Sequence, residues 1–180
     1  YTWLWKFYGN IPYYEANLTS PYLTEQFQAD AVYNAMVVDL EGAIALNALP
    51  MREESKNYGR VTLAMAYMLY AEIVMYQNDD SRYTTALKYM TDIINSGKYD
   101  LVDNYAGIFR ESGEWSTESI FEINYKDDQA TRNYTDNVFV AGGTVLPTMM
   151  GPDGWVDGTD GHNNGWGTFP VRTETYNMYS

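Results

Sequence analysis

Cysteine is absent from the 180-residue chain. That excludes disulfide bridges, thiolate nucleophiles and zinc–thiolate centres together, and it leaves the compartment open. Basic residues are scarce: 11 Lys and Arg stand against 24 Asp and Glu, a formal charge of −13. A surface of that sign repels phosphate backbones and argues against a nucleic-acid partner. Histidine occurs once, at His162. With no Ser or Cys arrangement beside it to build a triad, it reads as a satisfied loop histidine. The most apolar run, residues 60–76, is too short to span a bilayer and carries Glu72. There is no initiating methionine and no signal peptide. Residues 1–8 (YTWLWKFY) read as the end of a helix and Thr173 to Ser180 as the start of another, so an internal piece of a longer protein is expected.

Aromatic residues, by contrast, are plentiful: 18 Tyr, 5 Trp and 6 Phe. Tyr and Trp offer a flat apolar face with a polar tip. That suits ligands such as sugars, and it equally suits the packing of amphipathic helices, which accounts for most of the individual tyrosines. With 46% hydrophobic and 19% charged residues the chain is globular material long enough for one core.

The fold class expected is all-α. Gly9 and Pro12 stop the first helix. Residues 13–23 read as loop. Thr24 is expected to cap a helix over about 25–48, with Phe27, Ala31, Ala35, Val38, Gly42, Ala45 and Leu49 forming its apolar stripe and Pro50 ending it. Residues 60–76 are expected to form a central buried helix whose Ala64, Ala66 and Ala71 permit close helix approach. After a turn at Asn78 to Ser81, a helix over 82–96 carries Tyr83, Ala86, Leu87, Met90, Ile93 and Ile94 on one face and stops at Gly97. The pair resembles one tetratricopeptide unit, which cannot bury its faces without stacked neighbours. Residues 119–125 (SIFEINY) alternate as a short strand or extended segment would. Residues 126–168 hold most of the glycines in a long irregular stretch, the kind that is usually functional or disordered.

Seven separated matches, in order, resemble the SusD/RagB family. They are FYGNIP (7–12), GRVT opening the apolar helix at Gly59, the Ala- and Tyr-rich run Ala64–Tyr76, and YTTALKYMTDIINSG (83–97) completed by Tyr99 and Leu101. Tyr105 with Phe109, ESIFEINY (118–125), and GWGTFPVR (165–172) running into Tyr176 complete the set. The resemblance implies an incomplete SusD-like domain, with residues 1–125 in a tetratricopeptide-like scaffold. Residues 126–180 would then be a loop-rich ligand-binding region leading into a further helix. It implies an outer-membrane lipoprotein, surface-exposed and held by an N-terminal lipid anchor outside this fragment. Such a protein presents oligosaccharides, in some members peptides, to a SusC-like TonB-dependent transporter, with no catalysis and no cofactor.

Family members grip sugars with aromatic side chains beside Asn, Asp and Arg on irregular loops. The segment 151–167 (GPDGWVDGTDGHNNGWG) fits that description. Trp155, in a loop with few apolar neighbours, must either pack or bind, since a wet unpaired indole is costly. As a platform it would stack on a pyranose face while Asp157, His162, Asn163 and Asn164 bond hydroxyls. Arg132 and Tyr134 are further candidates. Trp166, inside the GWG element, reads as structural. Asp153, Asp157, Asp160 and Asn163 lack the order of a calcium loop and its closing glutamate, so no metal is assigned. The adjacent acids Glu53–Glu54 and Asp127–Asp128 read as solvated surface rather than a glycosidase pair. The rival to glycan capture is a tetratricopeptide-type protein-interaction module or a peptide-binding family member.

Overall fold

The computed structural model describes residues 1–16, 25–125, 149–154 and 165–179. The chain forms two compact units, Tyr1–Ile123 and Asn124–Ser180, and the first carries the helical scaffold. Helix α1 (Thr2–Tyr8) ends at Gly9, whose φ of 67° suits glycine. A two-residue strand β1 (Ile11–Pro12) pairs antiparallel with β2 (Gln26–Phe27). Helix α2 (Ala29–Ala45), α3 (Leu63–Gln77) and α4 (Tyr83–Asn95) follow.

Helix α2 corrects the sequence reading in two ways. It starts at Ala29, because Gln26 and Phe27 are committed to the ladder with β1, and the Asn10 side chain accepts the Ala29 N–H (2.9 Å) in place of a local cap. Thr24, the expected cap, lies outside the described residues. Its buried face is also one step round from the stripe expected: Val32, Tyr33, Met36 and Val37 are buried, whereas Val38 is 64% exposed. The expected stripe followed the small residues Ala31, Ala35, Gly42 and Ala45. Burial gain scales with apolar area, about 1.5–3 kcal/mol for a Val, Leu or Ile against far less for Ala or Gly. The face with the bulkier side chains therefore turns inward.

Helices α3 and α4 form the antiparallel pair expected from their sequence. The Thr62 hydroxyl accepts the Met65 N–H (3.2 Å) and caps α3. Asn78 (φ 59°) closes its other end. Ala86 of α4 joins Tyr70, Ile73 and Val74 of α3 in the main core with Trp5, Ile11 and the buried face of α2, while Ile93 joins Ala64 and Tyr67 in a second cluster. The start of one helix thus faces the end of the other, and the parallel Tyr67–Tyr89 rings (4.1 Å, 5°) lock the pair. Helix α3 is not buried all round: Met68, Met75 and Tyr76 are exposed, as are Leu87 and Ile94 of α4.

A polar network ties α2 to this hairpin. Tyr33 donates to Asp79 (2.8 Å), Tyr70 donates to Glu41 (3.1 Å), and Arg82 contacts both Asp79 (2.6 Å) and Glu41 (3.6 Å). Burial, then the bond to Asp79, pushes the Tyr33 hydroxyl up. Burial and the Glu41 bond push Tyr70 up to about 12. Asp79 is held down at about 2 by hydrogen bonds from Ser81, Tyr33 and Arg82.

Beyond α4 the first unit has 3₁₀ turns at Tyr105–Phe109 and Glu111–Gly113, and residues 119–125 pair in no sheet. In the second unit a short helix α5 (Thr173–Asn177) lies where the further helix was expected. Among the described residues no helix is long and apolar enough to cross a membrane.

Candidate functional site

The residues singled out from the sequence, Arg132, Tyr134, Trp155, Asp157, His162, Asn163 and Asn164, lie outside the described residues. What the structure does describe is the stem from which residues 155–164 leave and to which they return. Gly165 N–H donates to Pro152 O (2.9 Å), Gly167 N–H to Gly151 O (2.9 Å) and Thr168 N–H to Met149 O (3.0 Å). The two backbones approach so closely that a Cβ on Gly165 would lie 2.2 Å from the Gly151 carbonyl. Gly167 adopts φ 60°, the left-handed region that favours glycine. The glycines of the GWG element therefore make the structural contact. Trp166 between them is 52% exposed.

A second aromatic constellation sits on irregular loops of the first unit, and the sequence reading did not single it out. Arg52 is its hub. Its guanidinium donates to four carbonyls, Lys98 (3.1 Å), Thr117 (3.2 Å), Trp115 (3.0 Å) and Ser116 (2.7 Å), and lies over the Tyr99 ring at 4.8 Å. This planar fork satisfies loop carbonyls that no helix or sheet supplies with donors. Tyr99 in turn donates to Met51 O (3.0 Å), and burial pushes its hydroxyl up.

The clamped loop holds Trp115 at φ 55°, a left-handed conformation that is an outlier for a bulky residue and costs on the order of 1–3 kcal/mol. The Trp115 N–H is fixed by Glu122 (2.6 Å), and its ring lies parallel to Tyr58 (5.1 Å, 20°). Arg60, exposed beside this pair, makes no side-chain hydrogen bond or ion pair with another described residue. The neighbouring Glu53 is bonded by Asn57 (3.0 Å). A readable signal existed: Trp115 lies in a polar, glycine-flanked run (SGEWSTES) of the same texture that drew attention to Trp155.

A cleft of about 360 Å³ lined by Ile108, Glu114, Ser116, Glu118 and Glu122 adjoins this loop. Two of its carboxylates already serve the backbone, Glu118 accepting the Val102 N–H and Glu122 that of Trp115. Among the described residues no group of three or more His, Asp or Glu is arranged to hold a metal ion.

No protein-family model matches the chain. Surface glycan-binding protein A from Bacteroides thetaiotaomicron, solved in complex with laminarihexaose, is 62% identical over 99% of this chain and 37% of its own, with a TM-score of 0.83. The Bacteroides uniformis protein of the same name is 43% identical over 98% of this chain and 36% of its own, with a TM-score of 0.77. A SusD-like protein from Formosa agariphila is 24% identical over 154 residues, 82% of this chain and 27% of that protein. The chain thus spans little more than a third of these solved relatives and about a quarter of the Formosa protein. The likeness extends through the scaffold helices and the GWG stem alike, and the chain belongs to the SusD-like family.

Proposed function

We propose that this chain is part of a surface glycan-binding protein that captures oligosaccharides and delivers them to a SusC-like TonB-dependent transporter. The protein would stand on the outer membrane by a lipid anchor and catalyse nothing. The observation that carries the reading is the 62% identity, over 99% of the chain, to a surface glycan-binding protein solved with laminarihexaose. That ligand, a β-1,3-linked glucose hexamer, supports neutral β-glucans as the substrate class, and a chain carrying −13 loses nothing in binding an uncharged polymer.

In this reading residues 1–125 are scaffold and 126–180 the loop-rich binding region. Trp155 and Tyr134 would stack on sugar rings, while Arg132, Asp157, His162, Asn163 and Asn164 hydrogen-bond hydroxyls. The glycine-closed stem supports it, because it fixes both ends of the segment bearing five of those seven residues.

Calorimetry and affinity electrophoresis of the full protein against a polysaccharide panel that includes laminarin and laminarihexaose test the proposal. Binding to β-glucan without release of reducing sugar is expected. Failure to bind any glycan, together with tight binding to a protein partner, would replace it with the interaction-module reading.

A further inference from the structure

We infer that Tyr58, Trp115 and Arg60 form a second glycan contact, on the first unit, additional to the loop residues named above; the inference rests on the glycan reading of the protein. Three observations carry it. The first is the backbone of Trp115. A bulky residue is held in the left-handed region (φ 55°) by the Glu122 bond on its N–H and the Arg52 bonds on its own carbonyl and the next two. A loop could relieve this conformation with glycine or asparagine. Keeping tryptophan there sets the direction of an indole at the cost of strain, a pattern found where a side chain is presented for use.

The second is the ring pair itself. Trp115 is half-buried and lies flat on Tyr58, which is 38% exposed. Each ring immobilises the other before any ligand arrives, so little side-chain entropy remains to be lost on binding. The third is Arg60, an exposed guanidinium in the same depression with no hydrogen-bond or ion-pair partner among the described side chains. Every other arginine that lines the depression is consumed, since Arg52 spends its donors on four carbonyls.

These elements match the two sides of a pyranose. The axial C–H face is apolar and takes an aromatic surface, and the rim of hydroxyls takes a planar fork of N–H donors. The ligand class is a neutral glucan polymer, whose repeats can fill more than one contact on the protein, so the gain is avidity toward polymer.

The test is calorimetry of the full protein with laminarin and with laminarihexaose, comparing wild type with Arg60→Ala and Trp115→Gly. Arg60 bonds no other described side chain, and glycine accepts φ 55° without strain, so neither variant breaks a bond that the described residues make through the replaced side chain. Each is expected to weaken laminarin binding about five- to tenfold, the effect of removing one significant contact, and to change hexaose binding less. Laminarin affinity equal to wild type in both variants overturns this contact while leaving the proposed function standing. A wild-type protein that binds no glucan overturns both.

Discussion

The stem at Gly165 offers the most direct test of how the candidate site is held. Replacing Gly165 with alanine adds one carbon, 2.2 Å from the Gly151 carbonyl carbon and oxygen and 2.5 Å from its Cα. Carbon atoms in contact sit about 3.5–4.0 Å apart, so one backbone must retreat by more than about 1 Å. The obstacle is backbone, with no flexible side chain to swing away. A retreat of that size takes bonds of 2.9–3.0 Å past the roughly 3.2 Å limit of good N–H···O geometry. Three such bonds at about 0.5–1.5 kcal/mol each put the local cost at about 2–4 kcal/mol. Native-state hydrogen exchange reads this directly: the amides of Gly165, Gly167 and Thr168 should exchange about 30- to 1000-fold faster. Glucan affinity should fall with them, while amides of α3 and α4 are unchanged. Wild-type protection of those three amides in Gly165→Ala would refute the reasoning, because it would mean the close approach is not needed to close the stem.

Other perturbations test the scaffold. Arg52→Lys keeps the charge and loses the fork, so a single ammonium cannot serve the four carbonyls now bridged. A loss of about 1–2 kcal/mol in urea denaturation and a weakened near-ultraviolet signal from Trp115 are expected. Ile73→Ala empties a fully buried site and should cost about 2–5 kcal/mol by the same measurement. Asp79 titrates from 3.8 down to about 2 on folding. Its ionised form therefore contributes stability that is complete above the unfolded value and disappears as pH falls through the folded one. Wild type should exceed Asp79→Asn in stability at neutral pH, and the difference should shrink between about pH 4 and pH 2; a difference that persists below pH 2 would show that the network is not electrostatic.

Local rules suffice where the pattern is dense. Helices α3 and α4 were legible because their turn residues, Asn78 to Ser81 and Gly97, bracket continuous apolar spacing, and both were expected within about three residues of their observed ends. Helix α2 was legible as a helix but not in its orientation. Two stripes lie side by side on it, and counting small residues as equal to Val32, Tyr33, Met36 and Val37 selected the wrong one. Its start was set by partners 14 to 19 residues away, Ile11, Pro12 and Asn10, which no short window around Thr24 contains. The Arg52 clamp is beyond such windows as well: its acceptors at 98 and 115–117 come together only after α3 and α4 have folded back on each other.

The surplus of aromatics was the most conspicuous property of the chain, and its meaning divides by location. Tyr33, Tyr67 and Tyr70 sit in the core, with Tyr89 packed against it, and Tyr33 and Tyr70 send their hydroxyls to carboxylates at the edge. These rings fill volume while tying one helix to the next, a structural use that needs no ligand. Composition alone therefore says little about binding. The informative rings lie where the backbone is not helical and something other than packing must hold them. At Trp115 the holding groups are a charged fork and a carboxylate on the backbone, and the result is a half-buried indole beside a guanidinium that bonds no other described side chain. Two charged side chains fix the backbone on either side of that ring and Tyr58 fixes its plane, so the proposed second glycan contact rests on a surface made rigid before any ligand arrives.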